Sequence, residues 1–221
     1  MKELHTFIDH TLLKATATQK DIIKLCDEAK EHHFFSVCIN SCYVPLAKSE
    51  LNNNKVKICS VVGFPLGAMS TAAKAEETKQ AIIDGADEID MVLNIGLFKS
   101  KNFDAVKHDI TTVKACIPNN ILKVILETGY LDNNDIIKAS KLAIEAGADF
   151  IKTSTGFGSR GASFSDITLM KQTIKGKAKI KASGGIKDYK TALKYINLGA
   201  ERLGTSSGVA IVTGQKSTEN Y

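Results

Sequence analysis

Ala146-Gly147-Ala148-Asp149-Phe150-Ile151-Lys152-Thr153-Ser154-Thr155-Gly156 holds the transition that decides the fold. A glycine just past a helix supplies the left-handed turn that ends it, and the short apolar run that follows reads as a strand. A lysine closes that strand, and small residues lead away from it. The same helix-to-strand join recurs as Asp84-Gly85-Ala86-Asp87 and as Leu198-Gly199-Ala200-Glu201. A lysine in a matching frame recurs in Ile180-Lys181-Ala182-Ser183-Gly184-Gly185, 29 residues beyond Lys152. That spacing is about one strand–helix–strand step. Three uses of one join describe a repeated β/α unit.

Outward from these segments, further strands centre on Phe7-Ile8-Asp9, Val37-Cys38-Ile39, Ile58-Cys59-Ser60-Val61-Val62, Ile89-Asp90-Met91-Val92-Leu93, Val124-Ile125-Leu126 and Arg202-Leu203-Gly204. Helical patterns lie between the strands, at 21–31, 72–84, 102–116, 135–146, 166–174 and 189–198. Thr18 with Asp21 reads as a capping box, and Asp188 as an N-cap. Eight strands with intervening helices predict an α/β fold of one closed (β/α)8 TIM barrel; a flavodoxin-like open sheet is the alternative. No linker divides residues 1–221, so they read as a single domain, with 215–221 as a polar C-terminal tail.

Composition narrows the class. The 221 residues are 43% hydrophobic and 24% charged, in the range of globular chains. The net charge of +5 comes from scattered lysines and arginines without a basic run, so no nucleic-acid partner is expected. No apolar run approaches ~18 residues and Met1–His5 carries no apolar leader, so neither membrane spanning nor secretion is expected. Five cysteines without a C-x-x-C pair fit reduced thiols in the cytoplasm.

Barrels of this kind hold their reacting groups at the C-terminal ends of the strands. Alternation then turns Lys152, Lys181 and Asp90 toward the barrel axis if Ile151, Ile180, Ile89 and Met91 face the helices. A buried charge is costly unless paired or neutralised, so these three positions ask for a reason. One reading is a plain buried Lys–Asp salt bridge. The other is chemical: a second ammonium penalises the first, leaving a neutral amine able to form a Schiff base with a carbonyl. Bringing a lysine from ~10.4 to ~7 takes about 4–5 kcal/mol of differential interaction. Gly184-Gly185 and Ser206-Ser207-Gly208 follow the last two strands, where this fold commonly grips phosphate. The histidines, His5, His10, His32, His33 and His108, show no metal-ligand spacing, so no metal is expected.

Phe7-Ile8-Asp9-His10-Thr11-Leu12-Leu13, Val62-Gly63-Phe64-Pro65-Leu66-Gly67, Asp87-Glu88-Ile89-Asp90-Met91-Val92 and Leu126-Glu127-Thr128-Gly129 join the two lysine segments in one ordered set. Together they resemble the deoxyribose-phosphate aldolase family over nearly the whole chain. The resemblance implies a class I aldolase that needs no cofactor and reversibly cleaves 2-deoxy-D-ribose 5-phosphate to D-glyceraldehyde 3-phosphate and acetaldehyde, in deoxynucleoside breakdown. It implies Lys152 as the Schiff-base nucleophile, Lys181 as the group that tunes it, and Asp90 in the proton relay. It places Asp9, Thr11, Cys38, Lys123 and Thr155 around the substrate, and Gly156, Gly184, Gly185, Ser206 and Ser207 at the phosphate. Tyr221 is a candidate proton relay on the tail, and a homo-oligomer, with a dimer favoured, is the implied assembly. The rival readings are another Schiff-base barrel such as transaldolase, a metal-dependent sugar-phosphate epimerase, and a non-catalytic phosphosugar-binding barrel.

Overall fold

Eight parallel strands pair in chain order and the last pairs with the first: β1 (Ile8–Leu12), β2 (Ser36–Ile39), β3 (Lys57–Val62), β4 (Glu88–Val92), β5 (Ile121–Ile125), β6 (Phe150–Lys152), β7 (Lys179–Ser183) and β8 (Arg202–Thr205). The expected closed barrel is the observed one, and the open sheet is not. Outside the strands run α1 (Gln19–Glu31), α2 (Val44–Glu50), α3 (Thr71–Ile83), α4 (Ile95–Lys99), α5 (Phe103–Cys116), α6 (Asn133–Glu145), α7 (Phe164–Ile174), α8 (Tyr189–Leu198) and α9 (Gly208–Thr213). This computed structural model describes residues 3–215. The tail beyond Gln215, with the candidate relay Tyr221, lies outside the described residues.

The three glycine joins share one geometry. Gly85, Gly147 and Gly199 have φ of +114°, +95° and +111°. At each, the alanine that follows donates its N–H five residues back, at 2.9, 3.0 and 3.0 Å, and the glycine donates three back at 3.0 Å. These bonds satisfy carbonyls that a helix end otherwise leaves open. The N-termini are capped as sequence suggested: Thr18 and Asp21 form a reciprocal capping box, and Asp188 accepts the Thr191 N–H. A second box, Ser163 with Asp166, starts α7.

The sheet separates two environments. Ile89, Met91, Val124, Ile151 and Ile180 belong to the larger apolar cluster with helix residues such as Ile110, Ile136 and Ile167. Each such side chain contributes about 1.5–3 kcal/mol when fully buried. A separate small cluster of Leu13, Cys38, Cys59 and Val61, with Phe64 against it, is set apart from that layer. Many of the other inward positions are polar or charged, Asp9, Glu88, Asp90, Lys123, Lys152 and Lys181 among them. That is the expected phase, with more charges than the three that alternation turned inward.

Candidate active site

Strand register brings the charged residues into rows. Asp90 of β4 lies level with Lys123 of β5, Lys152 of β6 with Lys181 of β7, and Lys181 with Arg202 of β8. Neighbouring strands run parallel, so level residues face the same side. Lys152 and Lys181 therefore converge as expected, on one atom: their Nζ groups reach Asp90 Oδ2 at 2.8 and 2.9 Å. Lys123 Nζ takes the other oxygen, Oδ1, at 2.8 Å.

The network extends past Asp90. Lys181 also pairs with Asp9, and Lys123 with Glu88 at 2.6 Å. Arg202 reaches Asp9 at 2.8 Å and Glu88 at 3.2 Å, and its guanidinium lies 3.3 Å from the Phe35 ring centroid. Ser36 Oγ donates to Asp9 at 2.7 Å. Four cations thus meet three carboxylates, all buried. Lys123, Lys181 and Arg202 each touch two carboxylates in this network, whereas Lys152 touches one, Asp90. The network carries one more cation than it has carboxylates, and Lys152 is the least compensated of the four.

Electrostatics follow from these contacts. Burial works to raise the Asp90 carboxyl, yet the charges of Lys123, Lys152 and Lys181 hold it well below the usual range. Burial likewise opposes the Asp9 anion, while Lys181 and Arg202 hold that carboxyl low. Lys181 is pushed down by burial and held well above its ordinary value by Asp9 and Asp90. A buried salt bridge is therefore present, but it joins three lysines to one carboxylate rather than forming the simple pair of the plain structural reading.

Cys38 and Cys59 sit level on β2 and β3 beside this carboxylate. Cys59 Sγ lies 3.1 Å from Asp90 Oδ1 and Cys38 Sγ 3.9 Å from Oδ2. The Cys59 thiol bonded to it brings Cys38 down to about 7 against its burial, with help from Lys181. These two sulfurs and an Asp90 oxygen, mutually within 4.8 Å, form the one grouping with metal-ligand proximity among the described residues. Cys59 Sγ already accepts from Lys123, and the Asp90 carboxylate from Lys123, Lys152 and Lys181, so a dication there would meet ammonium charge at close range.

Of the remaining predicted residues, Thr11 lies on β1 and the others on the loops that follow the strands. Thr11, at 3% exposure, donates to the Asp9 carbonyl at 2.7 Å. Thr155 bonds to Glu127, a residue sequence reasoning quoted without a role. Gly156 (φ +93°) follows on the same loop. Gly184 and Gly185 are both left-handed, at φ +87° and +79°; a Cβ on Gly184 would lie 2.8 Å from Gly161 Cα, while one on Gly185 would meet nothing within 4 Å. The loops are laced together. Ser183 Oγ donates to the Ser154 carbonyl at 2.5 Å, and Thr205 Oγ1 to the Ile186 carbonyl at 2.7 Å. Ala162 N–H reaches the Ser183 and Gly184 carbonyls at 3.0 and 3.2 Å. The five predicted phosphate residues thus sit on three adjoining loops.

A cavity of about 590 Å³ opens beside them, lined by Thr11, Ser206 and Ser207 together with His10, Lys14 and Glu28. Lys152, Lys181 and Asp90 are not on its wall, and at 2%, 0% and 0% exposure they lie closed in the barrel. Sequence reasoning missed Glu88, Arg202 and Cys59. Alternation carried the signal for Glu88, two residues before Asp90 on the same strand.

Known proteins resemble this chain over its length. The DeoC/LacD family aldolase profile matches residues 4–214. A deoxyribose-phosphate aldolase from Carboxydothermus hydrogenoformans is 55% identical over 218 residues, covering 97% of this chain and 96% of the relative. The solved structure of QR15, an aldolase, superposes with a TM-score of 0.93 at 43% identity over 96% of both chains. A tetrameric deoxyribose phosphate aldolase from Aeropyrum pernix superposes with a TM-score of 0.89 at 31% identity, covering 95% of this chain and 89% of that one. A family match spanning nearly every residue, and relatives this similar, establish that the chain belongs to the DeoC/LacD family of aldolases.

Proposed function

We propose that this enzyme reversibly cleaves 2-deoxy-D-ribose 5-phosphate to D-glyceraldehyde 3-phosphate and acetaldehyde through a Schiff base on Lys152. The observation that carries the reading is the shared Asp90 oxygen, on which Lys152 and Lys181 meet with Lys152 holding no second carboxylate. A proton lost from the network leaves three cations matched to three carboxylates, so a free amine costs no unpaired buried anion.

Lys152 Nζ attacks the aldehyde carbon of the open-chain sugar, and the carbinolamine loses water to give a protonated imine. The bond between the second and third carbons then breaks. Its electron pair moves into the imine, and the 3-hydroxyl gives up its proton to the Asp90 relay as that carbon becomes the aldehyde of glyceraldehyde 3-phosphate. The enamine left on Lys152 takes a proton at its terminal carbon and is hydrolysed to acetaldehyde. Asp90, in contact with both lysines, moves protons between the carbinolamine oxygen and Lys181. Lys181 supplies the neighbouring charge, and Asp9 and Lys123 hold the two ends of the network. Thr11, Cys38 and Thr155 line the substrate. The backbone of Gly156, Gly184 and Gly185 with Ser206 and Ser207 receives the phosphate, as left-handed glycine loops do. Tyr221 delivers the proton to the enamine carbon. The covalent nitrogen is the electron sink, so the proposal calls for no cofactor.

The assembly proposed is a homo-oligomer with a dimer favoured; the Aeropyrum pernix relative is a tetramer. Among the described residues no helix is long and apolar enough to cross a membrane. With its five free cysteines the proposed location is the cytoplasm. The test is cleavage of 2-deoxy-D-ribose 5-phosphate in the presence of a chelator. Release of both aldehydes that disappears in Lys152→Ala supports the reading, and turnover surviving that substitution rejects it. A transaldolase would instead transfer a three-carbon unit between sugar phosphates.

A further inference from the structure

Glu127 is a buried carboxyl to which the mechanism above gives no task. Its backbone is left-handed, with φ +55° and ψ +62°, a region that residues other than glycine seldom occupy. Its side chain is 1% exposed. The residues on either side of it are tied to the chain running out of β6: Leu126 N–H donates to the Lys152 carbonyl and Thr128 N–H to the Thr153 carbonyl, both at 2.9 Å. The turn between those two bonds throws the carboxyl over the loop that follows Lys152. There it accepts the Thr155 N–H at 3.3 and 3.2 Å and the proton of the Thr155 hydroxyl. Gly158 packs against it closely enough that a Cβ would fall 2.9 Å from Glu127 Cδ.

These contacts fix the polarity of the Thr155 hydroxyl. A hydroxyl has one proton and two lone pairs. The proton is spent on Glu127, and one lone pair accepts the Phe157 N–H at 3.0 Å. One lone pair remains, so any further partner of Thr155 must be a donor. Burial raises Glu127, while the Thr155 bonds and the charge of Lys152 work against that rise.

We propose that Glu127 is a specificity-positioning residue that holds Thr155 Oγ1 as a pure acceptor and so selects acceptor aldehydes bearing a hydroxyl next to the carbonyl. The proposal rests on the reading that Thr155 lines the substrate. In the cleavage reaction the oxygen on the third carbon becomes a carbonyl and loses its ability to donate. The hydroxyl on the fourth carbon stays a hydroxyl in substrate and product alike, so it is the group an acceptor-only Thr155 suits throughout.

The test compares aldol addition of acetaldehyde to lactaldehyde and to propanal, which differ by that one hydroxyl. In Glu127→Gln the amide nitrogen donates to Thr155 Oγ1, both lone pairs fill, and the threonine proton turns outward. The expected result is a loss of about tenfold in the ratio of kcat/KM for lactaldehyde over propanal. Thr155→Val should lower the ratio similarly, Thr155→Ser should restore it, and the Glu127→Gln/Thr155→Val pair should be no worse than Thr155→Val. An unchanged ratio in Thr155→Val would mean that this hydroxyl does not read the substrate, and the underlying reading fails. A lowered ratio in Thr155→Val with a wild-type ratio in Glu127→Gln would overturn the role of Glu127 alone. So would an equal fall for both aldehydes in Glu127→Gln, which marks simple structural support.

Discussion

Asp90→Asn keeps the shape of one side chain and removes the charge on which three lysines converge. Asp90 is 0% exposed and receives Lys123, Lys152 and Lys181 at 2.8, 2.8 and 2.9 Å. With an amide there, four cations face two carboxylates, and the amide NH2 can only oppose an ammonium. Removing one member of a buried ion pair costs about 3–5 kcal/mol. At this chain length each kcal/mol moves Tm by about 2–4 °C, so the expected fall at pH 7 is about 6–20 °C. The pH dependence has a definite sign. The folded carboxyl sits well below its unfolded value, so its contribution is fully present above about pH 4 and is lost as pH falls toward the folded value. The gap between wild type and variant should therefore be wide at pH 7 and close in acid. It should also narrow in alkali, where the variant sheds a lysine proton. Urea unfolding of both proteins across the pH range measures this directly. Equal stability at pH 7 with an unchanged m-value would refute the account of the network.

Lys74→Met should destabilise by about 3–5 kcal/mol, because buried Lys74 bonds Asp109 at 2.6 Å and the Val92 carbonyl at 3.0 Å. Lys74→Met/Asp109→Leu should regain much of that loss in thermal melts, and a double variant as weak as the single would contradict the ion-pair explanation. Gly184→Ala places a methyl 2.8 Å from Gly161 Cα at a left-handed φ. It should raise KM for 2-deoxyribose 5-phosphate by about tenfold or more while affecting unphosphorylated 2-deoxyribose far less; equal losses would speak against a phosphate loop. Deleting Tyr221 should slow exchange of solvent protons into acetaldehyde without lowering the yield of trapped imine. Unchanged exchange would remove Tyr221 from the relay.

Much of the barrel was legible because its joins repeat. Gly85, Gly147 and Gly199 each mark a helix end and the strand behind it, and the left-handed φ each one adopts is what made glycine necessary there. The short helices Val44–Glu50, Ile95–Lys99 and Gly208–Thr213 are not legible in the sequence, since one or two turns carry too little period to stand out. For the first of these, Pro45 in the opening turn was the available signal. At the site, alternation placed Lys152, Lys181 and Asp90 on the inner face. It could not show that Lys123 lies level with Asp90, or that Arg202 closes the network through Asp9 and Glu88, because register between strands is a tertiary property. Glu127 was hidden for a different reason: its position depends on a left-handed turn at a residue other than glycine.

Borohydride trapping with 2-deoxy-D-ribose 5-phosphate, followed by peptide mass mapping, tests the central claim most directly. The account predicts a stable adduct on Lys152 that is absent from Lys152→Ala. An adduct on Lys181 would exchange the roles of the two lysines, and an active protein that traps no adduct would contradict the Schiff-base mechanism.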